Sequence, residues 1–152
     1  MSLNQEKLMK SKLVTAIILL IVTFIALLVF IGLYIDETRR VQRTYRKQYM
    51  TELGHVSGEI EGYMNTEGGY DTRYSMLIGY MSSAASYAFL LDDFEDKQKI
   101  INEVNTCLIK YPEQMKDKLP ELKDAVDHIL DELDKGYEEA AEIVESIDKK
   151  GY

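Results

Sequence analysis

Leu13–Ile35 reads LVTAIILLIVTFIALLVFIGLYI, twenty-three residues without a charge. At ~1.5 Å of rise per residue, a helix of this length covers ~35 Å, enough to cross a hydrocarbon core ~30 Å thick. Backbone in lipid has no water to bond to, so a single spanning segment must be helical. The competing reading is a core helix of a soluble domain, but a chain of 152 residues rarely hides one that is apolar on every side. The block therefore predicts a transmembrane helix. A removable signal peptide has a shorter apolar region, ~7–15 residues, and a small-x-small cleavage site. Here Phe30-Ile31-Gly32-Leu33-Tyr34 runs straight into charge, and the single cysteine, Cys107, is too distant for a lipoprotein anchor. The expectation is a retained signal anchor.

Outward from this block the charge is sharply segregated. The tail, 1–12, carries Lys7, Lys10 and Lys12 against Glu6. Immediately after the block come Arg39, Arg40, Arg43, Arg46 and Lys47 against Asp36 and Glu37; residues 48–152 then hold 10 basic and 23 acidic side chains. Three zones are expected: a short tail (1–12), a span (13–35) and an acidic domain (36–152). The Lys-bearing start resembles a signal-peptide start and places the N-terminus in the cytoplasm, exporting the domain. The five basic residues after the span, against three before it, count toward the opposite topology. The expectation is a single-pass protein of the cell membrane with its C-terminal domain outside the cytoplasm.

The net charge of −8 and pI near 4.8 are a poor starting point for a nucleic-acid binder, which needs a basic surface to displace counterions, and no nucleic acid is expected as a partner. One cysteine excludes an intramolecular disulfide framework and a cysteine-based zinc site. With 46% hydrophobic residues, 2 Pro and 9 Gly, the chain is neither low-complexity nor disordered as a whole.

Periodicity predicts helices throughout the acidic domain. Val41, Tyr45, Tyr49, Leu53, Val56, Ile60 and Tyr63 form a stripe that ends at the breaker cluster Asn65–Gly69. A second helix is expected over about 71–91, with Asp71 or Thr72 as N-cap. Asp92-Asp93-Phe94-Glu95 matches a capping box for a third helix that stops at Pro112. Leu122, Val126, Ile129, Leu133, Tyr137, Ala140, Val144 and Ile147 read as one unbroken seam over 120–150, capped by Gly151. Four helices with short connections give an all-α up-down-up-down bundle. The last helix would return toward the membrane and leave Tyr152 near it, with no second span after the bundle. Tyr74–Leu91, 18 uncharged residues, is a rival second span, but four Ser, three Tyr and a Gly favour a buried inner helix.

This arrangement resembles the four-helix sensor domains that chemoreceptors and sensor kinases place outside the membrane. The resemblance is architectural. Those receptors continue through a second span into a signalling module, and this chain is read as stopping short of one.

Several features are candidates for function. Gly54, Gly58 and Gly62 recur at four-residue spacing, roughly opposite Leu53, Val56 and Ile60. Each costs about 1 kcal/mol relative to Ala in a helix, so the line suggests close backbone approach by a partner helix or a second copy; a tightly packed internal helix is the plainer reading. Arg39, Arg40, Arg43, Arg46 and Lys47 form a collar suited to lipid headgroups, or simply a solvated helix face. Tyr63, Tyr70, Arg73 and Tyr74 gather at the first turn, where an Arg fork beside aromatic rings suits a small carboxylate ligand. Tyrosines at a bundle end are also ordinary packing.

Glu52-x-x-His55 matches half of a di-iron carboxylate motif, but Ala125 stands where His128 would need its Glu, so no metal site or cofactor is expected. Cys107 reads as a packed residue, and neither a phosphate loop nor a serine-nucleophile turn is present. The expected function is non-enzymatic. The chain would be a membrane-anchored interaction or sensory accessory protein that contacts lipids and binds a partner, a second copy through the first bundle helix, or a small ligand. The alternative is a structural subunit of a larger membrane assembly.

Overall fold

Helix formers without proline run from the tail through the apolar block and into the acidic domain, and one helix, α1 (Leu3–Asn65), occupies that stretch. The computed structural model describes residues 3–150; Gly151 and Tyr152, with the cap and the membrane-proximal end expected of them, lie outside the described residues. Five further helices follow among the described residues: α2 (Tyr70–Phe89), α3 (Glu95–Lys110), α4 (Pro112–Asp117), α5 (Leu119–Asp131) and α6 (Tyr137–Ser146). The chain divides into two units, Met1–Val41 and Gln42–Tyr152.

In the first unit the large apolar side chains from Leu13 to Ile35 are 44–75% exposed. Among the described residues, α1 alone holds a stretch long and apolar enough to cross a membrane. The hydroxyls of Thr15 and Thr23 donate to the carbonyls of Ser11 and Leu19, at 3.0 and 2.8 Å. These polar groups of the block are thus satisfied within the helix itself.

The second unit has its own core. The stripe expected on α1 is buried: Tyr49, Leu53, Val56 and Ile60 are all at 0% exposure. α2 runs antiparallel to this part of α1, since Gln42 meets Leu90 at one end and Glu59 meets Arg73 at the other. Tyr74, Leu77, Met81, Ala84, Ala85 and Ala88 bury the inner side of α2, which places it as an inner helix of this unit. α3 packs on α2, with the Tyr74 hydroxyl donating to the Leu108 carbonyl at 2.9 Å and Ser82 to Asn105 at 3.0 Å.

Three expectations need correction. α2 starts from Gly69, at φ +74, without a side-chain cap from Asp71 or Thr72. The capping box at 92–95 does not form: Asp93 turns through φ +54, and α3 starts from Phe94 because that ring is drawn into the core beside Tyr49 and Tyr137.

The largest correction concerns the final seam. It breaks at Glu132–Gly136, and α6 folds back along α5. Gly136 takes φ +80 with its Cα pressed against the Ala125 carbonyl, where a Cβ would lie 2.2 Å from that oxygen. The seam side chains are still buried, apart from half-buried Leu133, because both limbs of the hairpin turn them inward. α6 therefore runs from Tyr137, beside Tyr49, to the end where Asp148 exchanges two hydrogen bonds with Gln114. The last limb does not return to the end of the unit that Gln42 occupies, and the predicted uninterrupted fourth helix is replaced by α5 and α6.

Candidate functional site

The three tyrosines named at the first turn lie together. The rings of Tyr63 and Tyr70 meet edge to face at 5.1 Å between centroids, and Tyr63 and Tyr74 lie 6.3 Å apart. The polar groups at this turn are largely engaged, however. The Arg73 Nη1 pairs with Glu59 at 3.3 Å, and the Tyr74 hydroxyl is committed to Leu108. Burial pushes the Tyr74 phenol well above its ordinary range, so it stays neutral and acts as a donor. Lys116 Nζ stands 5.6 Å from the Tyr74 ring centroid, within reach of a cation–π contact. This is a well-packed end of the unit, with Tyr70 as its exposed rim.

The three glycines divide into two kinds. At Gly62 the Arg73 guanidinium, paired with Glu59, takes up the space that a Cβ would occupy. Around Gly54 and Gly58, no described atom beyond the neighbouring residues and backbone of α1 itself comes within 4 Å of where a Cβ would stand, and both residues are exposed. Internal packing thus explains Gly62 and leaves the other two unexplained.

The basic collar is partly occupied by its own acids. Arg40 forks onto Glu37 with bonds of 2.7 and 3.0 Å, and that bond holds the Glu37 carboxyl below its ordinary value. Arg39 and Arg43 are exposed and carry interactions of their own. In the second unit, Arg46 and Lys47 are exposed, and Arg46 acts electrostatically on Asp134.

His55 stacks on Tyr80 with ring centroids 4.7 Å apart. Among the described residues, no group of three or more His, Cys, Asp or Glu is placed to hold a metal ion. Cys107 is buried on α3, and that burial pushes its thiol up, away from the reactive thiolate.

Two polar arrangements escaped the sequence reading. Buried Ser57 donates to Asp127 at 2.5 Å, and Lys123 binds the other oxygen of the same carboxylate at 2.6 Å. Burial disfavours the charge on Asp127, but the bonds from Lys123 and Ser57 outweigh it and hold the carboxyl below its ordinary value. On the outer side of the α5–α6 hairpin, His128 Nδ1 lies 2.6 Å from Glu139. The Lys123–Asp127 spacing of four residues was visible in the sequence; the links from 57 to 127 and from 128 to 139 depend on how the helices fold back.

No family model, curated protein or solved structure matches this chain.

Proposed function

We propose that this is a single-pass membrane protein that displays its acidic helical unit as an interaction or sensory accessory, with no catalytic role. The observation that carries this reading is the uncharged, outward-facing block at Leu13–Ile35, joined in one chain to a unit with a separate, fully buried core. Exposed apolar surface on this scale is unfavourable in water and favourable in lipid. The block serves as a retained anchor, and the C-terminal unit lies outside the cytoplasm. The unit is a variant of an antiparallel four-helix bundle: α1 from Gln42, α2 and α3 are three limbs, and the α5–α6 hairpin fills the fourth place, with α6 packed on α3.

The contact surface for a partner helix, or for a second copy, is the open side of α1 at Gly54 and Gly58. Two mid-helix glycines with no internal reason to be small, each costing about 1 kcal/mol relative to Ala, favour an external backbone that fits against them. Binding of a small carboxylate at Tyr63, Tyr70 and Arg73 is a weaker fit, since Arg73 already has Glu59.

Crosslinking of the membrane-embedded full chain tests this surface. Cysteine at position 58 should capture a partner or a second copy, while cysteine at Gln48, off this face of α1, or at Lys99 on α3, both exposed, should capture less. Efficient capture at those two positions and none at 58 would remove the surface.

A further inference from the structure

The corner between α2 and α3 presents Phe89, 74% exposed, next to Leu90, 43% exposed. Single exposed apolar residues such as Ile109 are ordinary on any protein surface. This pair differs because the corner is built to hold it out. Ala88 and Leu91 on either side point into the core, and the φ +54 turn at Asp93 sends Phe94 inward after them.

The corner is also fastened. The Gln42 side chain donates to the Leu90 carbonyl at 3.1 Å and accepts from the Asp92 N–H at 3.1 Å. One amide thereby holds two backbone groups of the turn that follows α2. Gln42 is the seventh residue after Ile35, so chain connectivity alone keeps it within ~25 Å of the end of the apolar block. The fastening thus ties an exposed aromatic–aliphatic edge to the part of α1 with the shortest tether to the membrane.

We infer that Phe89 and Leu90 form a second membrane contact, seated in the headgroup region of the bilayer that the apolar block crosses. A ring at the polar–apolar boundary suits an aromatic residue followed by a polar turn. The flanking Asp92, Asp93, Glu95 and Asp96 are exposed and acidic, so the corner itself offers anionic lipid no electrostatic attraction and its seat depends on the apolar pair. The tether makes the contact intramolecular once the anchor is inserted, so a shallow apolar edge is enough to hold it. This inference rests on the membrane-anchored reading.

The chain has no tryptophan, so a single Trp reports on one place. The full chain is placed in phosphatidylcholine nanodiscs, with and without bromine on the acyl chains near the headgroup. Three variants are compared: F89W, I109W on the surface of α3, and L20W inside the apolar block. A corner seated in the headgroups gives bromolipid quenching and protection from acrylamide for F89W, bromolipid quenching for L20W, and neither effect for I109W. Quenching of L20W while F89W stays open to acrylamide would overturn the contact and leave the anchor standing. If L20W is not quenched, the anchor and the contact fall together. Equal quenching of F89W and I109W would overturn a specific seat at this corner.

Discussion

The hydroxyls of Tyr49 and Tyr137 meet at 3.0 Å inside the core, joining α1 to the first residue of α6. Phe94 lies edge-on to both rings, at 5.4 and 5.9 Å. Lys97 reaches over Phe94 and Tyr137 while pairing with Asp134. This cluster secures the reversal that begins α6. Burial, acting first and reinforced at Tyr49 by its partner, pushes both phenols above their ordinary range.

Loss of either hydroxyl leaves the other without its buried partner. Y49F and Y137F should each lower unfolding free energy by about 1 kcal/mol, and the double variant should cost less than the sum of the two. A double-mutant cycle in denaturant gives the coupling directly. Because both folded-state values are raised, this contribution is present below the ordinary tyrosine value of ~10 and is lost as pH rises beyond it. Alkaline unfolding of the wild type should be delayed in the double Phe variant.

Gly136 is the residue on which the α5–α6 hairpin turns. G136A places a Cβ against the Ala125 carbonyl at a positive φ that costs a non-glycine residue ~1–2 kcal/mol before any clash. The expected loss is more than 2 kcal/mol in a chemical melt, with buried Cys107 becoming reactive to a thiol reagent at lower denaturant than in the wild type.

The outer face of α1 predicts the opposite sign. G54A and G58A add a methyl group into open space and should raise the stability of the isolated chain by up to about 1 kcal/mol each. If the proposed partner surface is correct, the same substitutions should weaken capture of the partner. G62A should behave differently, displacing Arg73 from Glu59 with little net gain.

His128 carries a pH-dependent contact. Its hydrogen bond to Glu139, helped by the charges of Glu139, Asp124 and Asp131, raises its pKa above the ordinary 6.5. The raised value means that the contact contributes fully below ~6.5 and is lost as pH climbs through the folded-state value. An NMR titration should show His128 changing charge above 6.5 in the wild type and nearer to it in E139Q.

What could be read from the sequence follows from how local each signal is. The burial of Tyr49, Leu53, Val56 and Ile60 was legible because a helical stripe needs only its own spacing to be recognised. The end of α1 at Asn65 and the stop of α3 before Pro112 were legible for the same reason. The break at Gly136 was not, because Leu133, Tyr137 and Ala140 keep the seam in phase across it. Only the Lys135-Gly136 pair hinted at a turn. The capping box at Asp92 misled because burial of Phe94 outweighs a local cap. Of the candidate site residues, Tyr63, Tyr70, Arg73 and Tyr74 could be grouped from their shared turn. That Glu59 would occupy Arg73, and that Gln42 would fasten the 90–92 corner, are long-range pairings that periodicity does not encode.

The anchoring claim is tested most directly by washing membranes from cells that make the full chain with alkaline carbonate, then measuring the intact mass of the retained protein. A retained anchor keeps the chain in the membrane pellet with residues 13–35 still attached. Release into the wash, or a retained species lacking that block, would contradict it.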